Sequence, residues 1–196
     1  MSFVTFVIPT MGRKTLQRTI DSLNEQSDSD WHGLVVYDKR FEAYGIMSDG
    51  HISVALADVE GHAGLIRNYG ISLVESSWTA FVDDDDWLAP SYVQRLKGYA
   101  TSRPHLDLIV FTYYDEVNKN TVPNKNQKKI EECKVGISFA VKTQFINEHN
   151  IRFTPYALED FRFLDDCVKA GAKYWISHDL QYYVGGRGGW IRKDEE

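Results

Sequence analysis

The chain has 196 residues, of which 43% are hydrophobic and 26% are charged, a composition typical of globular proteins. Its formal net charge of −6 argues against a nucleic-acid partner, because such a partner usually requires a basic face. No apolar run approaches the ~20 residues that span a bilayer, and the N-terminal stretch has no signal-peptide pattern. The two cysteines, Cys133 and Cys167, lack metal-site spacing, which favours reduced thiols and a cytoplasmic location.

The first half of the chain alternates between predicted strands and predicted helices. Compact apolar runs predict strands at residues 3–9, 34–37, 52–56 and 77–82. Amphipathic spacing predicts helices at residues 16–26, at residues 61–76 and from Pro90 onward. This alternation predicts a three-layer α/β domain, in which helices cover both faces of a mostly parallel central sheet.

The second half of the chain is less regular. Further strands are predicted at residues 106–113, 135–141 and 174–177, and helices at residues 142–149 and 158–170. The polar stretch at residues 115–132 predicts an exposed hairpin or a mobile loop. In the last helix, we expect Phe161, Leu164 and Val168 to face the core. The sequence GGRGG at residues 185–189 predicts a flexible segment.

Four consecutive carboxylates, Asp83 to Asp86, follow the fourth predicted strand. In an extended chain alternate residues point the same way, so Asp83 and Asp85 would share one face. Ligands of open α/β sheets bind at the carboxyl ends of strands, and carboxylate oxygens suit hard divalent cations. The run therefore predicts a cation site, with a solvated acidic turn as the alternative.

Three segments resemble the GT-A-fold glycosyltransferases, particularly inverting family 2. They are the opening strand, turn and helix at residues 4–26, an Arg-Asn helix followed by the acidic run at residues 61–93, and LEDFRFLDDCVKAGAK at residues 158–173. The implied GT-A fold covers residues 1–196 as one domain, with a nucleotide-sugar-binding half at 1–90 and an acceptor-binding half at 91–196. The size also resembles that of a small chlorella-virus-encoded member of this family.

The resemblance implies a nucleotide-sugar donor, a Mn²⁺ or Mg²⁺ ion and a glycan acceptor. It implies that Asp85 and Asp83 bind the ion, with His178 as a candidate third ligand. It makes Asp160 the general base, with Glu159 beside it. The remaining residues implied in donor binding are Pro9, Thr10, Arg13, Asp38, Arg67, Asn68, Asp84, Asp86 and Arg187, together with Asp83 itself.

Several of these residues have a structural alternative. Arg13 could be a solvated turn residue, and Arg67 could brace the acidic run instead of contacting the diphosphate. Carboxylates such as Glu159 often only complement a helix dipole, and a lone histidine such as His178 is more often structural. After Asp38, the continuation Lys-Arg departs from the acidic, Ser-rich pattern of the family and makes its nucleotide contact less secure.

The predicted function is a metal-dependent inverting glycosyltransferase that moves a sugar, expected to come from a UDP-sugar, to a hydroxyl of a glycan. One alternative is a non-catalytic module that binds a cation and a glycan. A second is a nucleotidyltransferase, which the single glycine in the turn after the first strand disfavours. The charged C-terminus is compatible with a natural end or with a domain of a longer, multidomain chain.

Overall fold

The structure is a computed structural model, and it describes residues 1–41 and 50–185. The predicted donor-binding residue Arg187 and most of the GGRGG segment lie outside the described residues. Within them, strands are β1 Val4–Thr10, β2 Trp31–Tyr37, β3 Ile52–Leu56, β4 Trp78–Phe81, β5 Trp87–Leu88, β6 Leu108–Asp115, β7 Asn120–Val122, β8 Phe139–Lys142 and β9 Tyr174–Val184. The helices are α1 Leu16–Asn24, α2 Ala63–Ser72, α3 Tyr92–Ser102, α4 Thr143–Glu148 and α5 Glu159–Lys169.

The strands form one mixed sheet in the order β3-β2-β1-β4-β8-β6-β9-β5, with β7 paired to β6. The first four strands of this order are parallel, as predicted. The sheet is not mostly parallel beyond them, because β8 runs antiparallel to both of its neighbours, β4 and β6. The strand order matters for function because it places the carboxyl ends of β2, β1, β4 and β6 along the same edge of the sheet.

Helices lie on both faces of the parallel half. Gly33 of β2 faces α1, because a Cβ atom there would lie 3.4 Å from Leu23. Val36 lies three residues further along β2 and therefore points to the opposite face. It faces α2, because a Cβ atom on Gly70 would lie 3.2 Å from its side chain. Every residue of β1 is buried between these layers. This is the pattern of a central strand covered on both sides.

An aromatic cluster connects the two halves of the chain beneath the acidic run. The ring of Phe81, at the end of β4, lies 5.4 Å from that of Phe139 in β8 and 5.0 Å from that of Phe153. Phe153 in turn stacks on Phe163 of α5 at 4.3 Å. The cluster holds the segment before α5 against the carboxyl end of β4.

Several predicted elements differ from the structure in their bounds; the strand predicted at residues 135–141, for example, is β8 at Phe139–Lys142. Helix α5 begins one residue later than predicted, because Leu158 has a left-handed backbone with φ 61°, and it buries Phe163, Leu164 and Cys167 instead of Phe161 and Val168. The last strand runs to Val184 instead of residue 177, because pairing with β6 and β5 extends it through polar positions. Of the stretch at residues 115–132, predicted as an exposed hairpin or a mobile loop, residues 115–122 form the turn and second strand of the β6–β7 hairpin, and residues 123–132 form neither helix nor strand. None of the described helices is long and apolar enough to cross a membrane.

Candidate active site

The acidic run lies at the carboxyl end of β4, beside the turn that follows β1. It is not extended, because the Asp86 N–H donates to the Asp83 carbonyl at 3.0 Å and closes a turn. The predicted alternation of the four side chains nevertheless holds in their burial, although the run forms a turn and not a strand. Asp84 and Asp86 are both buried, whereas Asp83 and Asp85 are partly exposed. The run thus divides into two inward and two accessible carboxylates.

Asp84 anchors the turn after β1. Its Oδ2 accepts a hydrogen bond of 2.6 Å from the Thr10 hydroxyl, and its Oδ1 lies 3.2 Å from Arg13 Nη1. The Gly12 N–H donates to the same Thr10 oxygen at 2.9 Å. Burial raises the pKa of Asp84, and the two partners oppose that rise. Asp84, predicted to contact the donor, therefore stabilises the turn after β1 through buried hydrogen bonds.

Asp86 anchors the C-terminal strand. Its carboxylate accepts hydrogen bonds from the Tyr182 hydroxyl at 2.7 Å and from the Gly185 N–H at 2.8 Å. The same Tyr182 oxygen accepts the Asp83 N–H at 3.2 Å. A Cβ atom on Gly185 would lie 2.1 Å from the Asp85 carbonyl oxygen, so only glycine permits this approach. Burial and the charge of Asp83 raise the pKa of Asp86.

Asp83 and Asp85 are the accessible pair, with 33% and 16% of their side chains exposed. An arginine holds one oxygen of each: Arg67 lies 2.5 Å from Asp83, and Arg13 lies 2.6 Å from Asp85. Burial and the charge of Asp83 nevertheless raise the pKa of Asp85, so the arginines leave negative charge uncompensated. This set of hard oxygen donors fits a divalent cation.

His178 does not join that pair. It is exposed within β9, four residues before Tyr182. Among the residues that the structure describes, no three His, Cys, Asp or Glu side chains are grouped as metal ligands. Of the described residues, Asp83 and Asp85 are therefore the carboxylates that could contribute to a cation site.

Arg67 joins the acidic run to the start of α5. Its side chain is only 3% exposed, and its two terminal nitrogens lie 2.5 Å from Asp83 and 2.5 Å from Glu159. The nitrogen that contacts Glu159 also lies 3.9 Å from Asp160 Oδ1. The sequence allowed Arg67 either a diphosphate contact or a bracing role, and these contacts make it a brace.

Asp160 has no close cationic partner, because Arg67 approaches it only to 3.9 Å. Its Oδ1 is buried without a hydrogen-bond donor from the described residues, although 30% of the side chain is exposed. Burial raises the pKa of Asp160 to about 7, and the Arg67 charge only partly opposes that effect. A carboxylate with a pKa near neutrality and an open face suits a general base.

Glu159, predicted to share the catalytic role, has a hydrogen-bond partner on one oxygen. Arg67 holds Oε1 at 2.5 Å. Oε2 lies 3.0 Å from His62 Nδ1, but that nitrogen accepts the Gly64 N–H, so the described residues give Oε2 no hydrogen-bond donor. A Cβ atom on Gly64 would lie 2.6 Å from this second oxygen, so glycine lets α2 approach α5. Arg67 thus fixes one oxygen of Glu159 beside Asp160, and the other oxygen is left without a donor from the described residues. His62, to which the sequence assigned no role, caps the start of α2.

Asn68, the residue after Arg67, also holds the second half of the chain. Its side-chain amide donates to the Phe153 carbonyl at 2.8 Å and accepts the Phe153 N–H at 2.8 Å. Both polar ends of Asn68 are therefore engaged by backbone, and its predicted donor contact is replaced by support of the segment before α5.

Asp38, at the end of β2, is held by residues that follow it. Arg40 contributes Nε at 3.0 Å and Nη2 at 2.8 Å, and the Gly61 N–H donates at 2.7 Å. The Arg40 hydrogen bonds lower the pKa of Asp38 to about 2. The Lys-Arg sequence that departs from the family pattern therefore supplies the partner of Asp38. A nucleoside that uses Asp38 would meet this ion pair.

A cleft collects most of the predicted donor-binding residues. Its lining comprises Pro9, Thr10, Met11, Arg13, Asp38, Gly61, His62, Ala63, Ile66, Asp83, Asp84 and Asp85. The cleft follows the ends of β2, β1 and β4 and the start of α2. Arg67, Glu159 and Asp160 connect to it through Asp83.

Comparison with known families identifies the family of the chain that forms this cleft. The family model described as "Glycosyl transferase family 2" matches residues 5–164, which include the cleft, the acidic run and the start of α5. The chain belongs to glycosyl transferase family 2. Membership in this family removes the nucleotidyltransferase alternative.

Two curated relatives align with the chain. The poly(ribitol-phosphate) beta-N-acetylglucosaminyltransferase TarP of Staphylococcus aureus is 25% identical over 206 aligned residues, which cover 94% of this chain and 63% of TarP. The putative glycosyltransferase EpsH of Bacillus subtilis is 27% identical over 121 residues, or 58% of this chain and 34% of EpsH.

Solved structures of the family share the fold. S. aureus TarS 1-349 in complex with UDP-GlcNAc superposes with a TM-score of 0.78 at 17% identity, covering 100% of this chain and 62% of that one. The complex with UDP gives 0.76, covering 95% and 61%. The predicted GT-A fold class is confirmed. The chain spans about three-fifths of the length of TarP and TarS 1-349.

Proposed function

We propose that this family 2 chain is a metal-dependent inverting glycosyltransferase that moves a sugar from a UDP-sugar to a hydroxyl of a glycan acceptor. One observation carries the proposal: Arg67 holds the accessible Asp83 of the acidic run and lies 3.9 Å from Asp160. One carboxylate of the proposed cation-binding pair and the potential base are thus connected through a single buried arginine. This proximity supports an inverting transfer, which requires an ion at the leaving group and a base at the acceptor around the same anomeric carbon.

The donor class rests on the cleft and on the relatives. The cleft joins the ends of β2, β1 and β4, where nucleotides bind in open α/β sheets. The similar TarS structures are complexes with UDP-GlcNAc and with UDP, and TarP is named an N-acetylglucosaminyltransferase. These names support a uridine nucleotide in this chain.

Asp85 and Asp83 would hold Mn²⁺ or Mg²⁺, and the bound ion would supply positive charge to the diphosphate leaving group. The chain itself supplies the base. Asp160 takes the proton of the acceptor hydroxyl while that oxygen forms a bond to the anomeric carbon. The bond from that carbon to the nucleotide oxygen breaks at the same time, which inverts the configuration. A positioned base of this kind typically contributes ~10²–10⁴-fold to the rate.

The first test is calorimetric titration of UDP, GDP and their glucose conjugates with Mn²⁺ present and then with EDTA. We expect binding that requires the metal and prefers the uridine nucleotides. Donor hydrolysis without acceptor then separates an enzyme from a non-catalytic module, which would bind a donor and leave it intact. Absence of nucleotide binding under both conditions would contradict the proposal.

The base is tested with Asp160→Asn, against Asp166→Asn as the matched control. Asp166 is an exposed carboxylate of the same helix. We expect Asp160→Asn to keep donor affinity and to lose ~10²-fold or more of hydrolysis and transfer, whereas Asp166→Asn keeps both. Full activity in Asp160→Asn would remove the base assignment while leaving the donor site intact.

A further inference from the structure

Tyr113 lies on the same face of the sheet as the groups that hold the acidic run. It is in β6 and pairs in parallel register with Tyr182 of β9. Paired residues of neighbouring strands project from the same face of a sheet. The Tyr182 hydroxyl reaches the Asp86 carboxylate at 2.7 Å. The Tyr113 ring is therefore beside a side chain that reaches directly into the acidic run.

The position of β6 in the sheet places Tyr113 beyond the nucleotide. Asp38 follows β2, and the order β2-β1-β4-β8-β6 puts β2 and β6 on opposite sides of β4. Neighbouring strands are about 4.8 Å apart, so β6 lies roughly 10 Å from β4 on the side away from Asp38. A nucleotide-sugar with its base near Asp38 and its diphosphate at the end of β4 would direct its sugar toward β6.

The charges around Tyr113 agree with a position between the proposed base and the acidic run. Burial, followed by the negative charges of Asp115, Asp160 and Asp86, raises the pKa of Tyr113 to about 12. The negative charges of the proposed base and of the acidic run therefore both act on Tyr113, and its phenol keeps its proton at neutral pH. A neutral phenol can donate one hydrogen bond and accept another.

The Tyr113 hydroxyl is available for a ligand. The part of the chain that the structure describes gives it no hydrogen-bond partner, and the side chain is partly exposed. Its direction is nevertheless fixed, because a Cβ atom on Gly136 would lie 2.9 Å from ring carbon Cε1 and 3.6 Å from the hydroxyl oxygen. The backbone at Gly136 therefore packs directly against the ring and restrains it.

From these observations we propose that Tyr113 is a sugar-binding residue, whose hydroxyl hydrogen-bonds a hydroxyl of the sugar carried by the nucleotide donor. The inference rests on the proposed function and adds to it a residue that contributes to the choice of donor sugar. The register with Tyr182, the place of β6 in the sheet and the open, restrained hydroxyl carry it.

Tyr113→Phe tests the inference, because it removes a single oxygen atom and keeps the ring. Tyr114→Phe is the matched control, since Tyr114 is the next residue and points to the opposite face, paired with Tyr183. Calorimetry with Mn²⁺ measures the affinity of each variant for UDP, UDP-glucose and UDP-N-acetylglucosamine. The sugar conjugate that binds the unmodified chain more tightly is the probe.

We expect Tyr113→Phe to weaken binding of the UDP-sugar about 3- to 10-fold and to leave UDP binding unchanged, as befits one lost neutral hydrogen bond. Tyr114→Phe should change neither. Equal weakening of UDP and UDP-sugar, or no change in either, would overturn the inference while leaving the proposed function in place. Failure of the unmodified chain to bind any nucleotide would instead overturn the proposed function and the inference together.

A second variant tests the restraint on the ring. Gly136→Ala forces the ring or its neighbour to move, whereas Gly98→Ala adds a methyl group to open space. We expect Gly136→Ala to reproduce the selective loss of UDP-sugar affinity, with circular dichroism confirming the fold. Retention of full UDP-sugar affinity in Gly136→Ala would show that the ring orientation is not set there.

Discussion

Two arginines hold the carboxylates of the site, and they differ in burial and in what they join. Arg13, in the turn after β1, keeps 26% of its side chain exposed and pairs with Asp84 and Asp85 of the adjacent strand end. Arg67, within α2, keeps 3% exposed and joins Asp83 to Glu159 of α5. Arg13 therefore acts within the first half of the chain, whereas Arg67 connects the two halves.

This difference shows that a motif residue can contribute to a ligand site by building it. The pair Arg67 and Asn68 resembles a donor-binding motif, yet the contacts of both residues run to the acidic run, to α5 and to Phe153. The accessible chemistry is left to Asp83, Asp85 and Asp160. The two arginines should accordingly respond very differently to removal.

The largest expected effect is that of Arg67→Ala. It leaves Asp83 and Glu159 without the buried cation that they share. Removing one partner of a buried ion pair typically lowers the unfolding free energy by about 3–5 kcal/mol, and we expect a loss of this size. Arg13→Ala removes two ion pairs of an arginine that is 26% exposed to solvent, and about 1 kcal/mol or less is typical of each such screened pair. Urea denaturation of both variants without metal measures the difference. Equal losses of stability would contradict the contrast drawn between the two arginines.

A smaller effect is expected for Asn68→Ala, which removes both hydrogen bonds to the Phe153 backbone. The unfolding free energy should fall by about 1–3 kcal/mol, because two backbone groups lose their partner. Donor affinity should stay unchanged while donor hydrolysis slows, since the segment before α5 loses its support. Asn147→Ala, an exposed asparagine of α4, is the control. Loss of donor affinity in Asn68→Ala alone would instead restore the ligand contact predicted from sequence.

The sequence predicted those parts of the site that local patterns determine. An apolar run followed by carboxylates placed the acidic run at a strand end, and the resemblance of residues 158–173 identified the helix that carries Asp160. The turn after β1 was likewise visible in Pro9 and Gly12. Each of these depends on neighbours along the chain.

The sequence failed where distant contacts decide the outcome. Asp84 and Asp86, predicted to contact the donor, accept hydrogen bonds from Thr10 and Tyr182, which are distant from them along the chain. Arg40 captures Asp38 only because the chain folds back after β2. Tyr113 became visible only through the register of β6 with β9. None of these contacts leaves a periodic or compositional signal.

The sharpest test of how Arg67 shares its charge is the pH dependence of Asp160. Arg40 serves one carboxylate and lowers the pKa of Asp38 to about 2, whereas Arg67 faces three and leaves the pKa of Asp160 at about 7. Between its ordinary value of 3.8 and about 7, the folded chain keeps a proton that the unfolded chain has released. The unfolding free energy therefore falls as the pH rises through this window.

Asp160→Asn removes this titration, so its stability relative to the unmodified chain should increase as the pH rises from 4 to 8. Hydrolysis of the donor by the unmodified chain should rise over the upper part of the same range, because the base must lose its proton to act. Urea denaturation at several pH values, without metal and with Asp166→Asn as control, measures the first trend. A stability difference between Asp160→Asn and the unmodified chain that stays constant with pH would mean that Arg67 neutralises Asp160 as fully as Arg40 neutralises Asp38. Asp160 would then be ionised over the whole range, and its deprotonation could not be the event that activates the enzyme.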